Sequence, residues 1–423
     1  MNVNVAPSRV FFGWWVVMSF VVMTFLSVGL RFTVGPFLKP VVADLGLDRA
    51  SFSLVVAGGH FLYGAFTPFV GRIVDRVGAR PVLVAGAVIL GGSLAATAFV
   101  TRLWHLWAIY GVLMAVGLAA TGQVVAAAVI ARWFSLRRAT ALSTLGVGSM
   151  SGMSLLVPLA MWLILTVGWR TTYVIFGLVV IAIMVPLCLW VIRESPEEMG
   201  MTVDGVPVEP VAPGSAVLVE RTDMTHALQT SSFWQIAGGL FTCGFSMSLL
   251  SAHGVPMLTD HGYHPMTASW ALGVLGGSSV AFAMVLGVVA DRFGRRPVLA
   301  WLYGTRALIF AGLFLIRDHP VALIVVAVAG GASMAGSIAM SSALTADIFG
   351  RFSMGSVFGT IFLVHQTGAA LGSWLAGFMF ESTGGYGASF GLAIGLLVCA
   401  ALVSLRLDER PRTVPMLSAV AGS

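Results

Sequence analysis

Charge is what this chain has least of. Of its 423 residues, 9% are Asp, Glu, Lys or Arg, while 58% are hydrophobic, and the mean hydropathy is +0.96. A soluble domain carries about 25% charged residues, and one of this size could not hide so much apolar surface, so a soluble globular class is excluded. Cysteine is nearly absent: Cys188, Cys243 and Cys399 lie in apolar stretches, without the spacing of a disulfide framework or a metal site. Also missing are an HExxH pair, a GxSxG elbow, a phosphate-binding P-loop and a separate soluble sensor domain. Nothing in the sequence therefore argues for an enzyme, a metal or a cofactor. The net charge is +6, but the arginines are scattered over short loops, which is not a nucleic-acid footprint.

What the chain does have is apolar runs of about 20 residues, the length that crosses a bilayer as a helix. Twelve are expected, at 11–38, 50–70, 81–100, 104–131, 138–166, 171–193, 231–258, 267–290, 297–316, 320–348, 353–380 and 387–407. The first is too long for the apolar core of a signal peptide, about 7–15 residues. The high glycine content, 50 residues, suits close helix packing in lipid. Lys and Arg concentrate at the chain ends, in the middle segment and in loops such as 71–80, 132–138 and 291–296. Lys39, Arg49, Arg102, Arg170 and Arg317 are the exceptions outside the spans. The positive-inside rule then puts both termini in the cytoplasm, with the chain expected in a bacterial inner membrane. Residues 194–230 are the long polar stretch, expected as a linker between halves 1–193 and 231–423.

The two halves repeat. Gly71, Asp75, Arg76, Gly78, Arg80 and Pro81 are matched by Gly287, Asp291, Arg292, Gly294, Arg296 and Pro297, 216 residues on. The same offset matches Pro40, Asp44 and Gly46 with Pro256, Asp260 and Gly262, Ser53 with Ser269, and Gly152 with Gly368. Parallel repeats of six helices, related by an axis along the membrane normal, describe one large transporter class.

On these residues the chain resembles the major facilitator superfamily. Its G-x3-D-R-x-G-R-R loop after the second helix of a half is similar to both 71–80 and 287–296. The resemblance covers nearly the whole chain and implies an all-α membrane fold of twelve helices in two pseudo-symmetric halves. It also implies that Gly71, Asp75, Arg76, Arg80, Gly287, Asp291, Arg292 and Arg296 form a conformational latch, with the glycines allowing a tight turn. Within the superfamily, Gly13-Trp14-Trp15-Val16-Val17, the segment Trp133-Phe134 through Arg137-Arg138-Ala139, and Arg193-Glu194 with Pro196-Glu197-Glu198 resemble the monocarboxylate-transporter and oxalate/formate-exchanger branch.

The repeat exposes what is not repeated. Arg31 falls on Met247, His60 on Gly276, Gln123 on Ala339, His253 on Phe37, His365 on Ser149 and Arg306 on Leu90. Polar groups inside a membrane are costly and mark function by default. Arg31 lies about 20 residues into span one, roughly 30 Å from Phe11 at 1.5 Å per residue. Its guanidinium either forks onto a carboxylate or snorkels to the interface. The segment from Leu30 to Phe37 is similar to the stretch where monocarboxylate transporters carry a substrate-coupling lysine. His365 can bind an anion or carry a proton, or bond a neighbouring helix. His253, beside Gly254 and Pro256 where the helix could break, is a further substrate candidate, as are Gln123 and His60; each is alternatively a satisfied helix contact. Arg306, deep in span nine, is expected to hold neighbouring helices together.

The branch's eighth-helix arginine is absent, since 267–290 carries no charge, and so is the fourth-helix arginine of proton-coupled drug antiporters. With basic groups and no acid in mid-span, the expectation is a monomeric secondary transporter for a small organic anion, a monocarboxylate moving with a proton. The alternative is an exporter of amphipathic or neutral molecules.

Overall fold

The computed structural model describes residues 11–134, 137–205, 217–317, 319–334, 336–350, 354–410 and 414–418. Among them, eleven helices are long and apolar enough to cross a membrane. A twelfth, Met354–Thr383, has 30 residues but carries His365, Gln366 and Thr367 in its middle. The spans start where the sequence supplies caps. Asp48 accepts from the Ser51 amide at the head of Arg49–Val77, and Thr230 accepts from Phe233 at the head of Ser231–Asp260. Most spans fall where the apolar runs put them.

Two large apolar cores result, centred on the first and second halves, with a smaller cluster around Leu286 and Leu302. Phe20, Phe37, Phe52 and Trp133 are buried in the first, and Phe233, Phe245, Phe310 and Phe390 in the second. Helices of a half cross closely through matching glycines. A methyl group on Gly152 would overlap the Phe25 carbonyl, and one on Gly368 would overlap the Phe241 carbonyl. Both residues of each pair lie 216 apart, so the same backbone approach of first to fifth helix is built twice. Three glycine pairs at that offset also share a left-handed backbone: Gly46 and Gly262, Gly78 and Gly294, Gly168 and Gly384.

The loop expected over 71–80 is shorter than its sequence implies. Helix continues to Val77 and resumes at Ala79, leaving Gly78 alone as the joint at φ 88°; Gly294 repeats this at φ 88° between Phe293 and Arg295. Only glycine adopts such a backbone without strain. Gly71 lies inside the helix, with open space where a side chain would project, so it makes no turn. Gly287 is likewise helical. The side chains of Asp75 and Asp291 lie outside the described residues. Arg80 donates to the Leu189 carbonyl at the end of span six, and Arg296 donates to the Leu407 carbonyl just past span twelve, at 3.2 Å. These latch arginines thus tie the loop to the last helix of their own half. Arg76 is exposed, and Arg292 lies over the Phe293 ring at 5.7 Å. Of the linker, 206–216 lie outside the described residues; Val217–Arg221 pairs antiparallel with Val414–Ser418 near the chain end.

Three spans are broken, and this positions the site. Span one is Gly13–Arg31 followed by Val34–Leu45. Span four changes from a π-helical stretch, Trp107–Leu113, to Met114–Thr121, then breaks at an extended Gly122 before Gln123–Trp133. Span ten stops at Met334 and restarts at Ser337 after a left-handed Gly336. Span seven, where Gly254 and Pro256 suggested a break, is one continuous helix from Ser231 to Asp260. Pi-helical turns and interrupted helices recur at functional sites because they free backbone groups at membrane depth.

Candidate functional site

Arg31 is the last residue of the first half-helix of span one. From the break it reaches across the seam and donates to the Gln366 side-chain oxygen on span eleven at 3.2 Å. Its guanidinium lies over the Tyr63 ring, 5.4 Å from the centroid. Together with His60, Tyr63, Tyr110, Met114 and Leu118, Arg31 lines a small cavity between spans one, two and four. Among the described residues no carboxylate forms an ion pair with it. A fixed cation with neutral partners, at a seam between two halves, creates a positive field that favours an anion.

The expected site residues sort into three groups. His60 is buried, lines the Arg31 cavity and meets the Ser248 hydroxyl of span seven at 3.3 Å. His365 lies within electrostatic reach of His60, as does Arg31. Its ring stacks on Phe362 at 5.3 Å and lies beside the Cys243 thiol of span seven. Gln123 opens the second half-helix of span four and touches the Ser149 hydroxyl at 3.4 Å; the break before it adjoins the Tyr63 hydroxyl, 3.1 Å from where a Gly122 methyl would sit. Arg31, His60 and His365 are therefore neighbours, while Gln123 starts the half-helix after the break that adjoins Tyr63.

His253 does not join them. It is fully buried, and both ring nitrogens are occupied: Nε2 by the Ser53 hydroxyl and the Ser373 carbonyl, each at 3.0 Å, and Nδ1 by the Tyr386 hydroxyl at 3.1 Å. This network sits beneath a charged clasp on the face opposite the chain ends. Asp260 accepts from Lys39 and from Arg49, each at 2.6 Å. Arg49 also donates through Nη1 to Tyr386 at 2.8 Å and through its amide to Glu381 at 2.9 Å, and lies over the Phe380 ring at 3.9 Å. The clasp contacts of Lys39 and Arg49 all join one half to the other, and beneath them the Ser53–His253 bond does the same.

Arg306 has a local explanation. Its side chain is fully buried and donates to the Ser333 carbonyl, to Ser337 Oγ at 2.7 Å, to Cys243 Sγ at 3.3 Å and to Ser246 Oγ at 3.4 Å. Ser333 is the penultimate residue of Pro320–Met334, so the guanidinium caps the carbonyl end of a broken helix, where the backbone dipole is negative. Replacing Arg306 with Met should cost about 2–4 kcal/mol by orphaning these acceptors, seen as a melting temperature in detergent lower by roughly 2–5 °C. Lost transport with unchanged melting would instead give Arg306 a role towards cargo.

Sequence reasoning missed Tyr110, Gln366 and the Asp260 clasp. Asp260 had been absorbed into the repeat as the partner of Asp44. Yet Asp44 pairs with Arg170 inside its own half at 2.8 Å, while Asp260 turns to the seam. The available signal was Lys39 and Arg49, basic residues on the side where the topology rule disfavours them.

Known proteins are similar to this chain over most of its length. The family model for the Major Facilitator Superfamily matches residues 20–253 and 235–419. The chain is 27% identical over 397 residues to the uncharacterised MFS-type transporter YcxA of Bacillus subtilis, covering 90% of each chain. It is 25% identical over 400 residues to monocarboxylate transporter 13 of Rattus norvegicus, covering 94% of this chain and 89% of that one. Monocarboxylate transporter 11 of Homo sapiens is 25% identical over 419 residues, with 95% and 84% covered. Among solved structures, a bacterial homolog of the human lysosomal transporter Spinster, inward-facing and occupied, superposes with a TM-score of 0.70 at 15% identity, covering 95% of this chain and 97% of that one. With its membrane-spanning helices and a family model matching nearly its whole length, the chain belongs to the major facilitator superfamily and is an integral membrane transporter.

Proposed function

We propose that this transporter moves a small organic anion, a monocarboxylate, across the bacterial inner membrane together with a proton. The observation that carries the reading is Arg31: a permanently charged fork at a helix break, held by Gln366 and Tyr63 and paired with no acid among the described residues. A carboxylate supplies the missing negative charge, and the bidentate geometry selects it over halide-like or neutral cargo. His365 and His60, the histidines near Arg31, take the proton; otherwise it travels on the substrate carboxylate. The halves 1–193 and 231–423 rock about this site as one monomer, joined by the linker 194–230, with both termini cytoplasmic. The clasp at Asp260 closes the outer face and the loops at Arg80 and Arg296 lie on the inner one. The similarity to monocarboxylate transporters 11 and 13 supports the same substrate class.

The second reading, export of amphipathic or neutral molecules, draws support from a cavity walled by methionines beside Phe32, since such walls adapt to varied apolar shapes. Proteoliposomes separate the two. With an inside-alkaline pH gradient imposed, labelled monocarboxylates should accumulate inside and lose that accumulation when a protonophore is added. Uptake indifferent to both cargo charge and the gradient would discard the anion–proton reading in favour of the second.

A further inference from the structure

The Arg31 cavity has a counterpart related by the repeat. Arg31 and Leu118 lie 216 residues before Met247 and Met334, and Gln366 lies 216 after Met150. In one position of the fold, Arg31 and Leu118 wall a cavity and Gln366 holds the arginine. In the equivalent position, Met247, Met334 and Met150 wall a second cavity, joined by Met153, Phe32 and Leu250. A cation and its amide partner across the seam at one position are answered by thioethers at the repeat-related position. The remaining lining residue, Ser251, donates its hydroxyl proton to the Ser248 carbonyl at 3.1 Å, so its one donor is already committed.

The cavities adjoin at two places. Phe32 of the second follows Arg31 of the first across the helix break. His60 of the first meets Ser248, the neighbour of Met247 in the second, at 3.3 Å. Both are small, but methionine side chains are unbranched and withdraw or re-form around an apolar guest more easily than Leu or Phe. Thioethers also attract soft metal ions. An unpaired guanidinium one residue away repels any such cation, whereas it attracts the head of an anion whose body is apolar.

We propose that the four-methionine cavity is the subsite for the apolar body of the cargo, so that the transported anion is an amphiphilic monocarboxylate with an aromatic or branched hydrocarbon body, its carboxylate on Arg31. This rests on the organic-anion reading above and narrows it.

The test compares acetate, phenylacetate and 2-phenylethanol binding to the full chain in lipid nanodiscs by calorimetry. Phenylacetate should bind at least about ten-fold tighter than acetate, since each buried methylene adds about three- to four-fold, and tighter than the neutral alcohol. Met247→Ala and Met150→Ala should each shrink the phenylacetate-to-acetate affinity ratio several-fold, while the volume-conserving Met247→Leu keeps most of it and serves as the folding control. A ratio near one in the wild-type protein, or one untouched by either alanine variant, overturns the subsite while leaving the organic-anion reading standing. Silver ions raising the melting temperature in a Met247-dependent way, with no such ratio, would mark a soft-metal site and overturn it too. If neither carboxylate binds in an Arg31-dependent manner, the organic-anion reading itself fails and the subsite falls with it.

Discussion

Arg31→Gln is expected to abolish concentrative uptake and to weaken carboxylate binding by about 10- to 150-fold, the range spanned by the loss of hydrogen bonds to a charged group, about 1.5–3 kcal/mol. Glutamine keeps a donor in the cavity but removes the field that makes an anion preferable to water. Arg31→Lys should fall between, because an ammonium keeps the charge yet cannot hold Gln366 and a carboxylate in one plane. Gln366→Leu separates positioning from charge. It removes the 3.2 Å bond across the seam while leaving the cation in place, so its larger effect should be on rate rather than on equilibrium binding. Isothermal titration in nanodiscs and initial rates in proteoliposomes read the two effects apart. Wild-type binding and uptake in Arg31→Gln would remove the arginine from the mechanism and, with it, the case for an anion.

The fold was largely legible because hydrophobic length is a strong signal and the repeat doubles it. The three left-handed glycine pairs fall at the same offset as the Gly-x3-Asp-Arg phrase, so the register read from the residues is also a register of backbone conformation. Arg31 stood out for the same reason, as a charge whose equivalent is a methionine. What stayed hidden depends on which way a side chain turns. Asp44 and Asp260 share the same flanking proline and glycine, yet one bonds inside its half and the other across the seam. His253 looked like a cavity histidine because a polar residue in a span is read as exposed to cargo; three neutral partners instead consume its nitrogens. The helix breaks were misplaced for a related reason. Pro256 suggested one in span seven, but a neighbouring helix can satisfy what proline frees, and the breaks fall instead at Phe32, Gly122 and Gly336, none marked by proline.

Removing the carboxylate of the outer clasp should produce the second large effect. In Asp260→Asn, Lys39 and Arg49 lose their shared counter-charge at once, and Lys39 has no other partner in the clasp. The pairs are partly exposed, with side-chain accessibilities of 39% for Lys39, 15% for Arg49 and 28% for Asp260, so each is worth no more than about 1 kcal/mol by surface measure. The Arg49 pair is the better protected, and together they contribute about 1–2 kcal/mol, a five- to thirty-fold bias towards the state closed on this face. Spin labels at Ala43 and His264, both exposed and on opposite sides of the seam, should report a longer distance in Asp260→Asn and a still longer one in Asp260→Lys, where three cations face one another. Uptake should fall in both, because a carrier that cannot reclose its outer face cannot complete a cycle. Arg49→Lys should open the face only in part: the ion pair with Asp260 survives, but the fork that also holds Tyr386 and stacks on Phe380 does not. Label distances unchanged in all three variants would show that the buried His253 network, and not the charges above it, holds the halves together. His253→Phe, which fills the same space but removes the bonds to Ser53, Ser373 and Tyr386, would then be the variant that opens the face.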